Sequence, residues 1–179
     1  MAGKLVKFIA AVLLCVPLLA QDSIHDALVK HWKVSSEFTM EVAKAMPADS
    51  YGFKPVPAEL SFGQLMEQVA VANVGACAVA SGMQRPTTPE KIAASLKDEK
   101  APEPDKDTIV SFLSDSFEFC NKAVESMTPE KMNAVVGSPN RKMTGFEWLW
   151  AYFTHTAHHR GQAEVYLRLK GITPPRYEF

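Results

Sequence analysis

Apolar residues recur at helical spacing in four long stretches of this chain, and no stretch alternates strictly enough to suggest a strand. The first predicted helix runs from about Ser23 to Met46. Along it Ile24, Leu28, His31, Ser35, Phe38, Val42 and Ala45 step by four and three residues, which sets them on one face. Pro47 and the "GFKPVP" segment stop it, because proline cannot continue the hydrogen-bond ladder. The second helix opens at "LSFGQL". Ser61 is placed to cap it, Gln64 completes a capping box, and Leu60 and Leu65 are spaced as a hydrophobic staple. It continues through Leu65, Val69, Ala72, Ala76 and Val79 to Gly82.

A proline- and charge-rich surface connection follows, "RPTTPEKIAASLKDEKAPEPDKD", with one short helix beginning at Thr88-Pro89. The third helix, about Lys106 to Met127, turns Ile109, Phe112, Leu113, Ser116, Cys120 and Val124 inward. A second "TPEK" at Thr128 to Lys131 echoes Thr88 to Lys91. Threonine before proline is a good helix start wherever it occurs, so the two copies read as convergent local chemistry. The fourth helix begins with a capping box of Thr144 and Glu147, flanked by Met143 and Trp148. It ends at Lys170, where Gly171 suits the position after the cap and Pro174-Pro175 forbid continuation. The pattern predicts an all-α chain: a four-helix bundle with a long crossover between helices 2 and 3.

The first twenty residues are set apart from that bundle. "MAGKLVKFIAAVLLCVPLLAQ" has a short basic start at Lys4 and Lys7, an apolar run from Phe8 to Leu19, and small Ala20 where a signal peptidase cuts. The run is shorter than the roughly 20 residues that span a bilayer, so we read residues 1–20 as a signal peptide. The mature domain is then residues 21–179, secreted or periplasmic. Leu14 is too bulky to favour lipid attachment at Cys15. Removing the leader takes two lysines and no acids from a chain of net charge −1, leaving the mature domain weakly acidic. Such a balance gives no electrostatic footprint for nucleic acid, and no basic run marks a membrane surface. Two cysteines remain, Cys77 and Cys120. In an exported protein they can form one disulfide, or they can be two buried thiols that act as small apolar side chains.

Three of the five histidines fall in "HTAHHRGQAEVY", His155 to Tyr166. Trp148, Tyr152, His155, His159, Gln162, Tyr166 and Leu169 step by four and three residues as an inward seam, while His158 and Arg160 point away. Imidazoles at i and i+4 can converge on one divalent ion. The alternative is two core histidines satisfied by hydrogen bonds, which requires partners for up to four ring nitrogens.

The ending "HHRGQ…YLR…G…PP" and the "FKP…SFGQL" entry to the second helix resemble the DinB-like (damage-inducible protein B) family over essentially the whole mature chain. The resemblance implies a four-helix bundle carrying a zinc or nickel ion on three histidines. Two of them match His155 and His159. The third falls at Gln68, whose carboxamide is a poor substitute for imidazole. By its spacing from Leu65 and Ala72, Gln68 should face the core, either as a weak third ligand or as an amide bonded to a histidine. Glu67 is rotated about 100° away, toward solvent. His31, on the inward seam of the first helix, is the best substitute ligand, and His25 should see water. The resemblance further implies pairing as homodimers and metal-dependent transferase, isomerase or hydrolase chemistry on a small molecule, whose identity the residues do not give. Export makes a thiol transferase the weaker choice, because small thiol cofactors are mainly cytoplasmic. The competing expectation is a metal-poor, non-catalytic bundle that binds a ligand or partner.

Overall fold

The computed structural model describes the backbone of residues 2–98 and 101–177, with side chains from residue 24 onward. The elements in order are α1 (Ala2–Ala45), a 3-10 turn at Ala48–Ser50, α2 (Phe62–Ser81), α3 (Glu90–Ser95), α4 (Lys106–Glu125), α5 (Pro129–Asn133), β1 (Val135–Ser138), β2 (Arg141–Thr144) and α6 (Gly145–Leu169). The backbone of α1 extends back to Ala2, beyond the start near Ser23 that the periodicity predicts. The signal-peptide reading of residues 1–20 rests on side chains outside the described residues. None of the described helices is long and apolar enough to cross a membrane.

The predicted start signals operate as physical chemistry requires. Ser61 Oγ accepts from Gln64 N–H, and the Gln64 side chain accepts from Ser61 N–H in return. Thr144 and Glu147 close the same box at α6. Thr128 caps α5 with Pro129 at its first position, whereas at α3 Pro89 holds the cap position and no side chain caps the helix. Gly82 and Gly171 take the left-handed conformation at φ 75° and 74°, closing α2 and α6 as expected.

Helix α2 packs against α4 and α6, and α1 packs against the same two, so α1 and α2 lie diagonally opposed in the bundle. The crossover from α2 to α4 carries α3. Two apolar clusters fill the interior. One gathers Met46, Phe62, Leu65, Val69, Ile109, Leu113 and Leu167. The other holds Leu28, Trp32, Trp148 and Leu149 around Cys77 and Cys120, which are bonded to each other with their Cα atoms 5.4 Å apart. The disulfide, one of two readings open from the sequence, therefore ties α2 to α4. All six inward positions expected of α4 are buried.

Near the junction of the two clusters each long helix buries polar residues: Ser35 and Thr39 on α1, Asn73 on α2, Ser116 on α4, and Thr156 and Arg160 on α6. Thr156 Oγ1 donates to Asn73 Oδ1 at 3.0 Å, joining α2 to α6 across the core. Arg160 Nη1 donates to Ser35 O, Ser35 Oγ and Thr39 Oγ1 at 3.3, 2.9 and 3.2 Å, joining α1 to α6.

The expectation of no strand needs correction. Val135–Ser138 pairs antiparallel with Arg141–Thr144, Val136 opposite Met143. Both strands have four residues and are mostly exposed, so no buried face imposes the alternation by which strands are recognised. Leu169, placed on the seam by its spacing, is 59% exposed because the buried stripe of α6 is centred on Thr156, Ala163 and Leu167, to one side of it.

Candidate metal centre

Along α6 the inward face is set by Trp148, Leu149, Thr156, Arg160, Ala163, Tyr166 and Leu167. His155 and His159 lie at the edge of that face, half-buried. Arg160 corrects the reading that it points away. It is 6% exposed, its guanidinium lies 4.5 Å from the centre of the Phe38 ring, and no carboxylate pairs with it among the described residues. A hundred degrees per residue sets position 160 about 40° from Thr156 and about 20° from Leu167, on the buried stripe. The polarity of Ser35 and Thr39 makes a guanidinium acceptable there. His158 is exposed, as expected.

The two rings meet. His155 Nε2 and His159 Nε2 are 3.1 Å apart, and the ring centres are 4.4 Å apart at 78°. His159 Nδ1 lies 2.8 Å from Gln162 Oε1. With the amide oxygen toward the ring, Nδ1 carries the hydrogen and donates it, which leaves a lone pair on His159 Nε2 aimed at His155. Gln162 thus orients the imidazole in the way an outer hydrogen bond orients a metal ligand. His155 Nδ1 is buried without a partner among the described residues, so its ring is held by packing, 5.4 Å from that of Tyr152. Burial is the largest influence holding both imidazoles below the ordinary histidine value. At His155 the neighbouring His159, His158 and Arg141 push the same way; at His159 the Gln162 bond opposes burial and His158 adds to it. Both rings are therefore neutral at pH 7, the form that binds metal.

Zinc holds imidazole nitrogens at about 2.0–2.1 Å, so two neighbouring ligands on one tetrahedral ion sit about 3.3 Å apart. The 3.1 Å separation fits that requirement. The rest of the donor set is thinner. Among the described residues no three His, Cys, Asp or Glu side chains come together. Gln68, expected to face the core, is exposed and makes no hydrogen bond to either ring, while its neighbour Glu67 is 4% exposed. The predicted orientations of this pair are thus reversed. The capping box starts α2 at Phe62 and turns Leu65, Met66, Val69 and Ala70 inward, a stripe broad enough to carry 67 with it and leave 68 outside. Ser95 Oγ on α3 donates to Glu67 Oε1, and burial raises the carboxyl above its ordinary range. His31 is not brought to the pair. It lines an apolar groove with Leu28, Phe146, Trp150 and Phe153, on a strip of α6 about 150° round the helix from His155. His25 does not simply face water: its Nε2 lies 3.0 Å from Val124 O.

The sequence reading placed Tyr152 on the seam with the histidines and missed one contributor, Arg141. Arg141 Nη1 donates to Tyr152 OH at 2.9 Å, and its guanidinium lies over the Trp148 and Tyr152 rings at 4.8 and 5.4 Å. Without the hairpin, nothing in the residue order connects position 141 to the histidines.

The family model for the DinB superfamily matches residues 31–163. Two solved DinB-like proteins share the fold. One from Bacillus subtilis has 22% identity and a TM-score of 0.66, covering 84% of this chain and 96% of its own. One from Bacillus cereus ATCC 10987 has 19% identity and a TM-score of 0.68, covering 86% and 97%. A mycothiol-dependent maleylpyruvate isomerase is similar more remotely, at 13% identity and a TM-score of 0.58, covering 76% of this chain and 59% of its own. No curated protein matches the chain.

Proposed function

The chain belongs to the DinB superfamily, and from that premise we propose that it binds a divalent metal ion, zinc or nickel, through His155 and His159. The observation that carries the reading is the facing pair of Nε2 atoms at 3.1 Å, with His159 oriented by Gln162. Two imidazoles hold such an ion and leave its other positions to solvent or substrate, because Gln68, the position the family resemblance marks for a third ligand, is exposed and bonds to neither ring. When bound, the ion would act as a Lewis acid that lowers the pKa of a coordinated water or thiol, which suits hydrolase or transferase chemistry on a small molecule. The chain's own residues do the remainder. Gln162 fixes the His159 tautomer, burial keeps both rings unprotonated, and the aromatic side chains of Trp148 and Tyr152 shield one flank.

Export is part of the same proposal. The Cys77–Cys120 bond supports it, because disulfides persist in oxidising compartments. So does the leader pattern at residues 1–20. A second reading, a metal-poor bundle that binds a ligand without catalysis, is favoured by the exposed glutamine at position 68. Zinc and nickel affinities of untagged mature protein, measured by competition with a chelator, separate the two. We expect binding that His155→Ala and His159→Ala each weaken by at least about a hundredfold, since each removes half of the imidazole set. Binding unchanged by either substitution would place the metal elsewhere, and no binding at all would select the second reading.

A further inference from the structure

The hairpin that the residue pattern concealed delivers a fixed positive charge to the flank of the histidine pair. Three bonds fasten it: Gly145 N–H donates to Ala134 O at 3.0 Å, Trp148 Nε1–H to Val136 O at 3.1 Å, and Arg141 Nη1–H to Tyr152 OH at 2.9 Å. Its first strand requires glycine. Gly137 has φ 124°, and a Cβ there would sit 2.2 Å from the carbonyl oxygen of Arg141. Trp148 and Tyr152 stack with ring centres 5.9 Å apart, and the guanidinium lies across both. Such stacking holds a weakly hydrated, planar cation in one place.

The charge so placed is not neutralised. No carboxylate forms an ion pair with Arg141 among the described residues, and only one of its N–H groups meets a protein acceptor. Most of its donor fork is therefore open, although an arginine needed only to clamp a hairpin could be paired at its surface. Tyr152 stands between it and His155, with ring centres 5.4 Å apart, so arginine, hydroxyl and imidazoles follow one another along one side of α6.

We propose that Arg141, with the Tyr152 hydroxyl, is the specificity-determining anchor for an oxyanion, a carboxylate or phosphate group, of the small molecule that the histidine pair serves. The proposal rests on reading His155 and His159 as the functional site. The guanidinium offers parallel N–H donors that match the oxygens of a planar carboxylate or a phosphate, a pairing stronger than one between neutral groups. A molecule anchored there extends toward His155 past Tyr152, so the substrate class is an anionic small molecule with its reactive group removed from the oxyanion.

The test uses acetate and inorganic phosphate as probes, each titrated into chelator-stripped wild-type, Arg141→Gln, Arg141→Lys and Tyr152→Phe proteins. The readout is the saturable shift of the tyrosine and histidine ring resonances, and circular dichroism confirms that each variant is folded. We expect at least one anion to bind wild type and to move the Tyr152 and His155 signals. Its dissociation constant should rise at least about tenfold in Arg141→Gln and less in Arg141→Lys, which keeps the charge without the fork. Tyr152→Phe, which preserves the stack, should weaken binding by a smaller factor. No saturable shift in wild type, or equal affinity in Arg141→Gln, would overturn the proposal. Zinc affinity of the same proteins is measured alongside. Anion binding through Arg141 without zinc binding would remove the metal reading and leave this one standing, and zinc binding with no anion effect would do the reverse.

Discussion

Replacing both bonded cysteines, Cys77→Ala with Cys120→Ala, should cost this protein much of its stability. The bond closes a sequence separation of 43 residues and joins α2 to α4 across the long crossover. The chain-entropy relation gives about 13 cal/mol/K for a loop of that length, or about 4 kcal/mol at 25 °C. Both side chains are fully buried, at 0% exposure, so each lost sulfur adds a small packing defect of up to about 1 kcal/mol. Domains are stable by about 5–15 kcal/mol, so the loss takes a large part of the reserve. For a chain of this size each kcal/mol shifts Tm by about 2–4 °C, so a total of about 4–6 kcal/mol predicts a fall of about 8–24 °C. The assay is urea unfolding of mature wild type and the double variant, with Tm by calorimetry. Because the bond is enclosed by Leu28, Trp32, Trp148 and Leu149, reductant should open it only when the domain unfolds. A loss below about 1 kcal/mol would refute the reasoning, as would labelling of two thiols in the unfolded, unreduced chain.

Two further outcomes follow from the site. Gln68→His should raise zinc affinity at least about tenfold by chelator competition, because imidazole replaces a weak carboxamide donor at the position the family resemblance marks. The gain should vanish when His159→Ala is added, and no gain in the single variant would mean that position 68 does not address the pair. Arg160→Ala should destabilise by about 2–4 kcal/mol in urea, since it opens a cavity between α1 and α6 and removes the donor to Ser35 and Thr39. Arg160→Met, which fills most of that space without the charge, should cost less; equal losses would assign the role to the charge itself.

The sequence by itself determined the four long helices and, apart from the start of α1, where they begin and end. Capping boxes, glycine after the last turn and proline beyond it are local chemistry, satisfied within a few residues, so Ser61, Thr144 and Gly171 could be read before any packing was known. It also determined that His155 and His159 share a face, because one turn of helix separates them. Tertiary structure decided what no single helix specifies. How far the buried stripe of α6 extends depends on which helices lie against it, so Arg160 is enclosed by Ser35, Thr39 and Phe38 of α1 although its charge suggests a solvent position. The width of the stripe on α2 likewise put Glu67 inside, against Ser95, and Gln68 outside. The diagonal placement of α1 and α2, and the α1–α6 contact that seats His31 in a separate groove, are properties of the whole bundle. Arg141 reaches Tyr152 only because a hairpin of two four-residue strands folds back on α6, and two short exposed strands leave almost no mark in a pattern of burial.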